Sequence, residues 1–202
     1  MMNMQTLISF DSANGTGKTT VVSALQQHLV TCRGVRAMSI KRPLPGGVAA
    51  AKILELYAKG ERGSPECERL MEADAYEIRE MLSKEDVEVA ILDRDWFSQV
   101  IYGCGDFERL RSMYTMPDVS VFLWAHPMTC LRRIAARKKY APGIIEPGCT
   151  LKECRENDEK YLALRALMVE GARKEGKLFL EYNTTLLDPI AIARRIAHEV
   201  LG

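Results

Sequence analysis

The stretch SANGTGKTT, residues 12–20, holds the residue types best suited to polyphosphate chemistry. Gly15 and Gly17 let the backbone turn so that successive N–H groups point inward. Lys18 offers a point charge for β- and γ-phosphates, and the Thr19 hydroxyl is a natural Mg2+ ligand. The general pattern is G-x-x-x-x-G-K-[ST]. Gly17, Lys18 and Thr19 match it, and Ser12 stands where the first glycine belongs. A serine fits there if that position needs no positive φ. On this reading Asn14, Gly15, Thr16, Gly17, Lys18, Thr19 and Thr20 bind the donor nucleotide's phosphates. The apolar run TLISF before the loop reads as a strand. TVVSALQQHL after it reads as a helix whose N-terminus adds a positive dipole end.

A second group sits at Asp93-Arg94-Asp95, where the apolar run Val87–Leu92 ends. In open α/β sheets, ligands lie at the carboxyl ends of strands, so these residues are expected to share a crevice with the phosphate loop. A carboxylate at Asp93 suits Mg2+ held through water. An arginine at Arg94 suits bidentate contact with an acceptor phosphate.

Elements must place these groups. Strands are expected at Thr6–Phe10, Arg36–Ile40, Val87–Leu92, Val119–Trp124 and Leu178–Tyr182. Helices are expected near Lys18–Thr31, Val48–Lys59, Pro65–Leu82, Met128–Lys138, Leu151–Lys174 and Pro189–Leu201. Ser64 and Asp188 precede prolines and read as N-caps. Strand–helix alternation argues for an α/β fold: a parallel sheet of five strands with helices on both faces. The segment 138–150, KKYAPGIIEPGCT, carries two prolines and two glycines and reads as a lid loop. His126 follows Trp124 at a strand end and is a minor candidate for the cleft.

The chain has 202 residues and a formal net charge of +1, which fits a single domain over 1–202. The near-neutral balance argues against nucleic acid or an anionic membrane as partner. The opening segment carries no signal-peptide pattern, and no apolar run is long enough for a membrane span. The cysteines at 32, 67, 104, 130, 149 and 154 form no C-x-x-C pair, so a cytoplasmic protein with reduced thiols is expected.

The order of motifs resembles the thymidylate kinase family. Gly17–Thr20 match its G-K-[ST]-T loop, and the segment Lys41 to Gly47 resembles its R-x-P-G-G element. Asp93 to Ser98 match its D-R-Y-x-x-S element, Pro117-Asp118 its P-D strand start, and Leu131–Arg137 its L-x-R-I-x-x-R helix. The resemblance implies a P-loop NTPase three-layer sandwich with a short lid. It implies transfer of the γ-phosphoryl of ATP, with Mg2+, to a nucleoside monophosphate, thymidylate or a related deoxypyrimidine nucleotide. It also implies residue roles. Lys18, Asp93, Arg94 and Arg137 are catalytic, and Thr19 and Asp93 face the metal. Arg133 packs on adenine, Arg42 joins Arg94 in holding the acceptor phosphate, and Met71, Ser98 and Tyr102 border the acceptor. Lys138 or Lys139 assists Arg137 from the lid, and the assembly is a homodimer.

Four positions depart from the family, all toward the acceptor. Asn14 replaces a carboxylate, Met71 a stacking phenylalanine, Ala75 a base-reading arginine, and Asp95 the tyrosine of D-R-Y. With alanine at position 75, discrimination among pyrimidines is expected to be weak; the competing view is a replacement contact from Tyr76, Arg79 or Asp95. Two alternatives stay open. One is a kinase for a free deoxynucleoside, with Asp11 or Asp95 as base; the other is a nucleotide-binding protein of the same fold without kinase activity. The sequence holds no N-K-x-D motif, which argues against a GTPase.

Overall fold

The computed structural model describes residues 5–103, 105–114, 116–140 and 150–202, without the side chains of Tyr102, Lys138, Lys139 and Tyr140. The lid expected at 138–150 therefore falls almost wholly outside the described residues, as does the side chain of Tyr102.

Five strands form one sheet: β1 (Thr6–Asp11), β2 (Ala37–Lys41), β3 (Val89–Asp93), β4 (Val119–Trp124) and β5 (Leu178–Asn183). All neighbours pair in parallel, in the order β2-β3-β1-β4-β5. The chain leaves β1 for one side of the sheet and later returns to the other side at β4. Such a switch opens a crevice at the carboxyl ends of the strands beside β1. In register, Phe10 of β1 lies opposite Asp93 of β3, so the loops after both strands start side by side.

Alternation along the strands separates the two faces. Ile8, Phe10, Val89, Ile91, Val119 and Val121 face α1 (Lys18–Arg33) and α8 (Pro189–Leu201), which supply Val21, Leu25, Leu29, Ile192 and Ile196. On the other face, Leu7, Ile40 and Leu92 pack with Ile78 of α3 (Pro65–Lys84). Phe122 there meets an aromatic cluster of Trp96, Phe97, Phe107, Tyr114 and Tyr161. Burial on both faces is why the strands read as continuous apolar runs.

The remaining helices are α2 (Ala50–Ala58), α4 (Phe97–Tyr102), α5 (Phe107–Met113), α6 (Pro127–Tyr140) and α7 (Leu151–Glu175). The expected caps form: Ser64 Oγ accepts from Cys67 N–H, and Asp188 from Ile190 and Ala191, each ahead of a proline. The expected elements recur with ends shifted by a few residues. The short helices α4 and α5 are additions that the sequence pattern does not show. Six mostly apolar residues in α4 carry no helical period, and its end depends on Gly103 in the left-handed region. Helix α5 starts from the Asp106 side chain, which caps Arg109 N–H.

Candidate active site

The phosphate loop runs from the end of β1 to the start of α1. Gly15 and Gly17 have φ of 83° and 90°, which an L side chain rarely adopts. Gly15 also lies against α6, where an added Cβ would come within 2.7 Å of the Cys130 carbonyl oxygen. Ser12 has no positive φ and is fully buried, so a serine is tolerated in place of the pattern's first glycine. Its hydroxyl lies 2.8 Å from that of Thr16, which in turn donates to the Ala13 carbonyl at 2.9 Å. The loop is thus braced from inside by its own side chains.

At its centre Lys18 Nζ makes a short contact with Asp93 Oδ1, and the Thr19 hydroxyl donates to Asp93 Oδ2 at 2.7 Å. Burial and the neighbouring Arg94 charge push the Lys18 ammonium down to about 8, against the pull of Asp93. Burial favours the neutral form of Asp93, but the charge and hydrogen bond of Lys18, with the Thr19 hydroxyl, outweigh it and hold the carboxyl below its ordinary value. Asp93 is therefore an anion at neutral pH.

Arg94 stands beside this pair with a φ of 81°, the one non-glycine in the left-handed region among the described residues. Such a backbone is strained by roughly 1–3 kcal/mol and persists only where surroundings hold it. Here its N–H donates to the Phe10 carbonyl at 3.0 Å. The guanidinium donates to Asn14 Oδ1 at 2.7 Å, to the Tyr161 hydroxyl at 2.6 Å and to Ser98 Oγ at 3.4 Å. Three elements thus aim one arginine. Asn14, a departure from the family's carboxylate, serves here as an acceptor for Arg94.

Beneath them lies Asp11, fully buried, taking a hydrogen bond from Ser98 Oγ at 2.5 Å while its Oδ2 has no partner. Burial, reinforced by Asp95, raises its carboxyl to about 7 against the pull of Ser98.

A cavity of about 380 Å3 continues from the loop between α1 and α6, lined by residues 13–21 with Arg133, Ala136, Arg137, Thr184 and Pro189. That volume falls in the range of small-molecule sites. Arg133 donates to the carbonyls of Gly15 (3.3 Å) and Thr16 (3.1 Å), and to Thr184 at Oγ1 (3.0 Å) and the carbonyl (2.8 Å). It ties the loop to the segment after β5. Thr184 escapes sequence reasoning, since a threonine after a strand carries no motif.

The acceptor side is arranged differently. Arg42 is buried: Nε donates to Asp74 at 2.8 Å, Nη2 to the Met71 carbonyl at 3.0 Å, and Nη1 lies 3.5 Å from Asp95. The Met71 side chain packs among Ala49, Ile53, Leu56 and Cys67, between α2 and α3. It is not part of the small cavity that Ala75 and Arg42 line. Tyr76 is 65% exposed and does not line that cavity, whereas Arg79 does. His126 is exposed; its N–H donates to Thr185, and its Nδ1 accepts from Met128 N–H.

A sequence model of the family described as thymidylate kinase matches residues 10–183 of the 202. The chain belongs to the thymidylate kinase family. No curated protein matches it. Thymidylate kinases are P-loop phosphotransferases, and the parallel five-stranded sheet agrees with that fold. Family membership makes this chain a nucleoside monophosphate kinase: ATP is the co-substrate, and thymidylate is the family's acceptor. Among the described residues of the kinase, no helix is long and apolar enough to cross a membrane.

Proposed function

We propose that this kinase passes the γ-phosphoryl of ATP to the 5′-phosphate of thymidylate or a related deoxypyrimidine nucleotide across the Lys18–Asp93–Arg94 junction. The observation that carries this reading is the meeting of two phosphate-directed groups. Lys18 and Thr19 come from the loop after β1, Arg94 comes from the turn after β3, and Asp93 joins them.

Little covalent work falls on the protein in such a transfer. It positions two anions and neutralises charge between them. The N–H groups of Gly15 to Thr20 hold the donor phosphates, and Lys18 meets the β- and γ-oxygens. Arg94 holds the acceptor phosphate, kept in aim by Asn14, Tyr161 and Ser98. Arg133 flanks adenine, and Arg137 reaches the transferring group from the same cavity. Arg42 walls the acceptor's base end, with Tyr102 assigned to the sugar.

Thr19 and Asp93 fit Mg2+. They present hard oxygen donors 2.7 Å apart at the start of α1, where a hydrated Mg2+ shares its remaining positions with substrate phosphates. When bound, that ion supplies charge neutralisation between the β- and γ-phosphates.

The site favours a monophosphate over a free nucleoside. A nucleoside kinase needs a carboxylate base near the 5′-hydroxyl. Asp11 is sealed and already bonded to Ser98, and Asp95 faces Arg42. A homodimer is the expected assembly. Val48, Leu54 and Tyr76, exposed on and beside α2 and α3, offer it apolar surface, and light scattering reads it directly.

The test is an ATP-coupled assay with Arg94→Ala beside the parent. The variant is expected to raise KM for thymidylate and lower kcat together. Unchanged constants would remove Arg94 from the acceptor site.

A further inference from the structure

The first residue after β5 is Thr184, and it is buried, with 4% of its surface exposed. Its N–H, its hydroxyl and its carbonyl are all engaged. The N–H donates to the Trp124 carbonyl at the end of β4, at 2.9 Å. The hydroxyl donates to the Thr16 carbonyl at 2.5 Å and accepts from Arg133 Nη1 at 3.0 Å. The carbonyl accepts from Arg133 Nη2 at 2.8 Å. The residues on either side are pinned as well. Thr185 Oγ1 accepts from His126 N–H at 2.8 Å, and Asn183 Oδ1 accepts from Thr185 N–H at 2.9 Å. Thr184 is thus fixed to the sheet and to the segment that opens α6, and from there it meets the phosphate loop.

Its contact falls on the carbonyl side of that loop. Arg133 Nη1 also donates to the Gly15 and Thr16 carbonyls, so two successive carbonyls turn toward the same pair of side chains. In a trans peptide the N–H lies on the opposite edge of the plane from the carbonyl. The Gly15 carbonyl shares its plane with the Thr16 N–H, and the Thr16 carbonyl shares its plane with the Gly17 N–H. Turning both carbonyls toward Arg133 and Thr184 therefore turns both N–H groups away from them, as a phosphate cradle requires. These two planes need such a restraint. Gly15 and Gly17, which flank them, lie in the left-handed region and leave the backbone free to swing.

We infer that Thr184 is a positioning residue for the phosphate donor, acting with Arg133 to hold the Gly15–Thr16 and Thr16–Gly17 peptides with their N–H groups toward the polyphosphate. The inference rests on the reading of this loop as the ATP phosphate site. The hydroxyl is the working part. Serine supplies it, and valine keeps the shape of threonine without it.

The experiment measures Kd for ADP and for thymidylate by titration calorimetry, with KM for ATP alongside. The variants are Thr184→Val, Thr184→Ser, Arg133→Met and the double variant Thr184→Val with Arg133→Met. Thr184→Val is expected to weaken ADP and raise KM for ATP by about 10–50-fold, the scale of a buried carbonyl that loses its donor. Thymidylate is expected to bind as in the parent, and Thr184→Ser to bind ADP as the parent does. The double variant is expected to lose less than the product of the two single losses, because both side chains act on the same carbonyls. In the 15N-labelled free protein, the Thr16 and Gly17 amide signals are expected to move in Thr184→Val and to return in Thr184→Ser. If Thr184→Val does not fold, Thr184→Ala takes its place with the same expected order. Parental ADP binding without the hydroxyl, a serine variant no better than valine, or equal weakening of ADP and thymidylate would each overturn the inference. So would independent losses in the double variant. ADP binding by the parent without turnover of ATP would instead overturn the kinase reading and leave this inference standing.

Discussion

The donor half and the acceptor half of this site are built on opposite plans. Around the phosphate loop nearly every polar side chain is engaged: Ser12 with Thr16, Lys18 and Thr19 with Asp93, and Arg133 with Gly15, Thr16 and Thr184. Around the cavity beside Ala75 the polar groups are more loosely held: Asp95 accepts from Trp96 N–H and lies 3.5 Å from Arg42, and Arg79 rests over the Tyr114 ring. A triphosphate is the same ligand in every such enzyme, and backbone N–H groups hold it. That cradle can be finished before the ligand arrives, which keeps the reorganisation cost low. A base differs from its competitors by single donors and acceptors, so the groups that read it must be left open for it.

The sharpest break in this contrast is at Lys18. Lys18→Ala is expected to lower kcat by roughly a thousandfold or more, the scale of electrostatic contacts to a transferring phosphoryl group. Circular dichroism is expected to show the fold retained, because Lys18 opens α1 just after a loop braced by Ser12 and Thr16. Near-parental turnover in the folded variant would show that the loop's charge is not catalytic.

Arg133→Met should have a smaller effect, confined to the donor. It removes four hydrogen bonds that tie the loop to α6 and Thr184. The expected result is about a tenfold rise in KM for ATP with KM for thymidylate unchanged, the scale of one positioning interaction removed. An equal rise for both substrates would mean that the two halves are not separately built.

The smallest effect concerns Asp11, which both halves share through Ser98 and Arg94. Its carboxyl is raised from 3.8 to about 7, chiefly by burial. Between those values the folded state holds a proton that the unfolded state has lost. Stability linked to Asp11 is therefore complete below about pH 4 and falls as pH rises toward 7. Asp11→Asn keeps the Ser98 contact without the charge. Its melting temperature should exceed the parent's by about 2–8 °C at pH 8, with the gap narrowing below pH 7 and closing only below about pH 4. A gap independent of pH would show that the proton is not the cause.

The same contrast explains what can be read from the chain. The strand pattern, both proline-backed caps and the phosphate loop are legible because local pattern decides them. A strand buried on both faces is an apolar run, and Gly15 and Gly17 announce a turn. The placing of Arg42 and Met71 is not legible. Arg42 binds Asp74, 32 residues away, and Met71 turns to Tyr57 and the α2 core. Helical spacing along α3 gives the face of each residue and not its partner. Gln99 has no signal either: an isolated glutamine in FSQVIY reads as a surface residue until burial is known. Tyr161 lies within the long helix α7, where a lone tyrosine carries no motif, and its hydroxyl holds Arg94.

The measurement closest to the central claim compares thymidylate with thymidine as acceptors, at equal concentration, with ATP and Mg2+ and with ADP release as the readout. Arg94 is held by Asn14 and Tyr161 to meet a phosphate, whereas Asp11 is buried against Ser98 and Asp95 lies against Arg42. The expected result is rapid ADP release with thymidylate and background release with thymidine, a difference that Arg94→Ala narrows. Faster release with thymidine than with thymidylate would contradict the account at its centre.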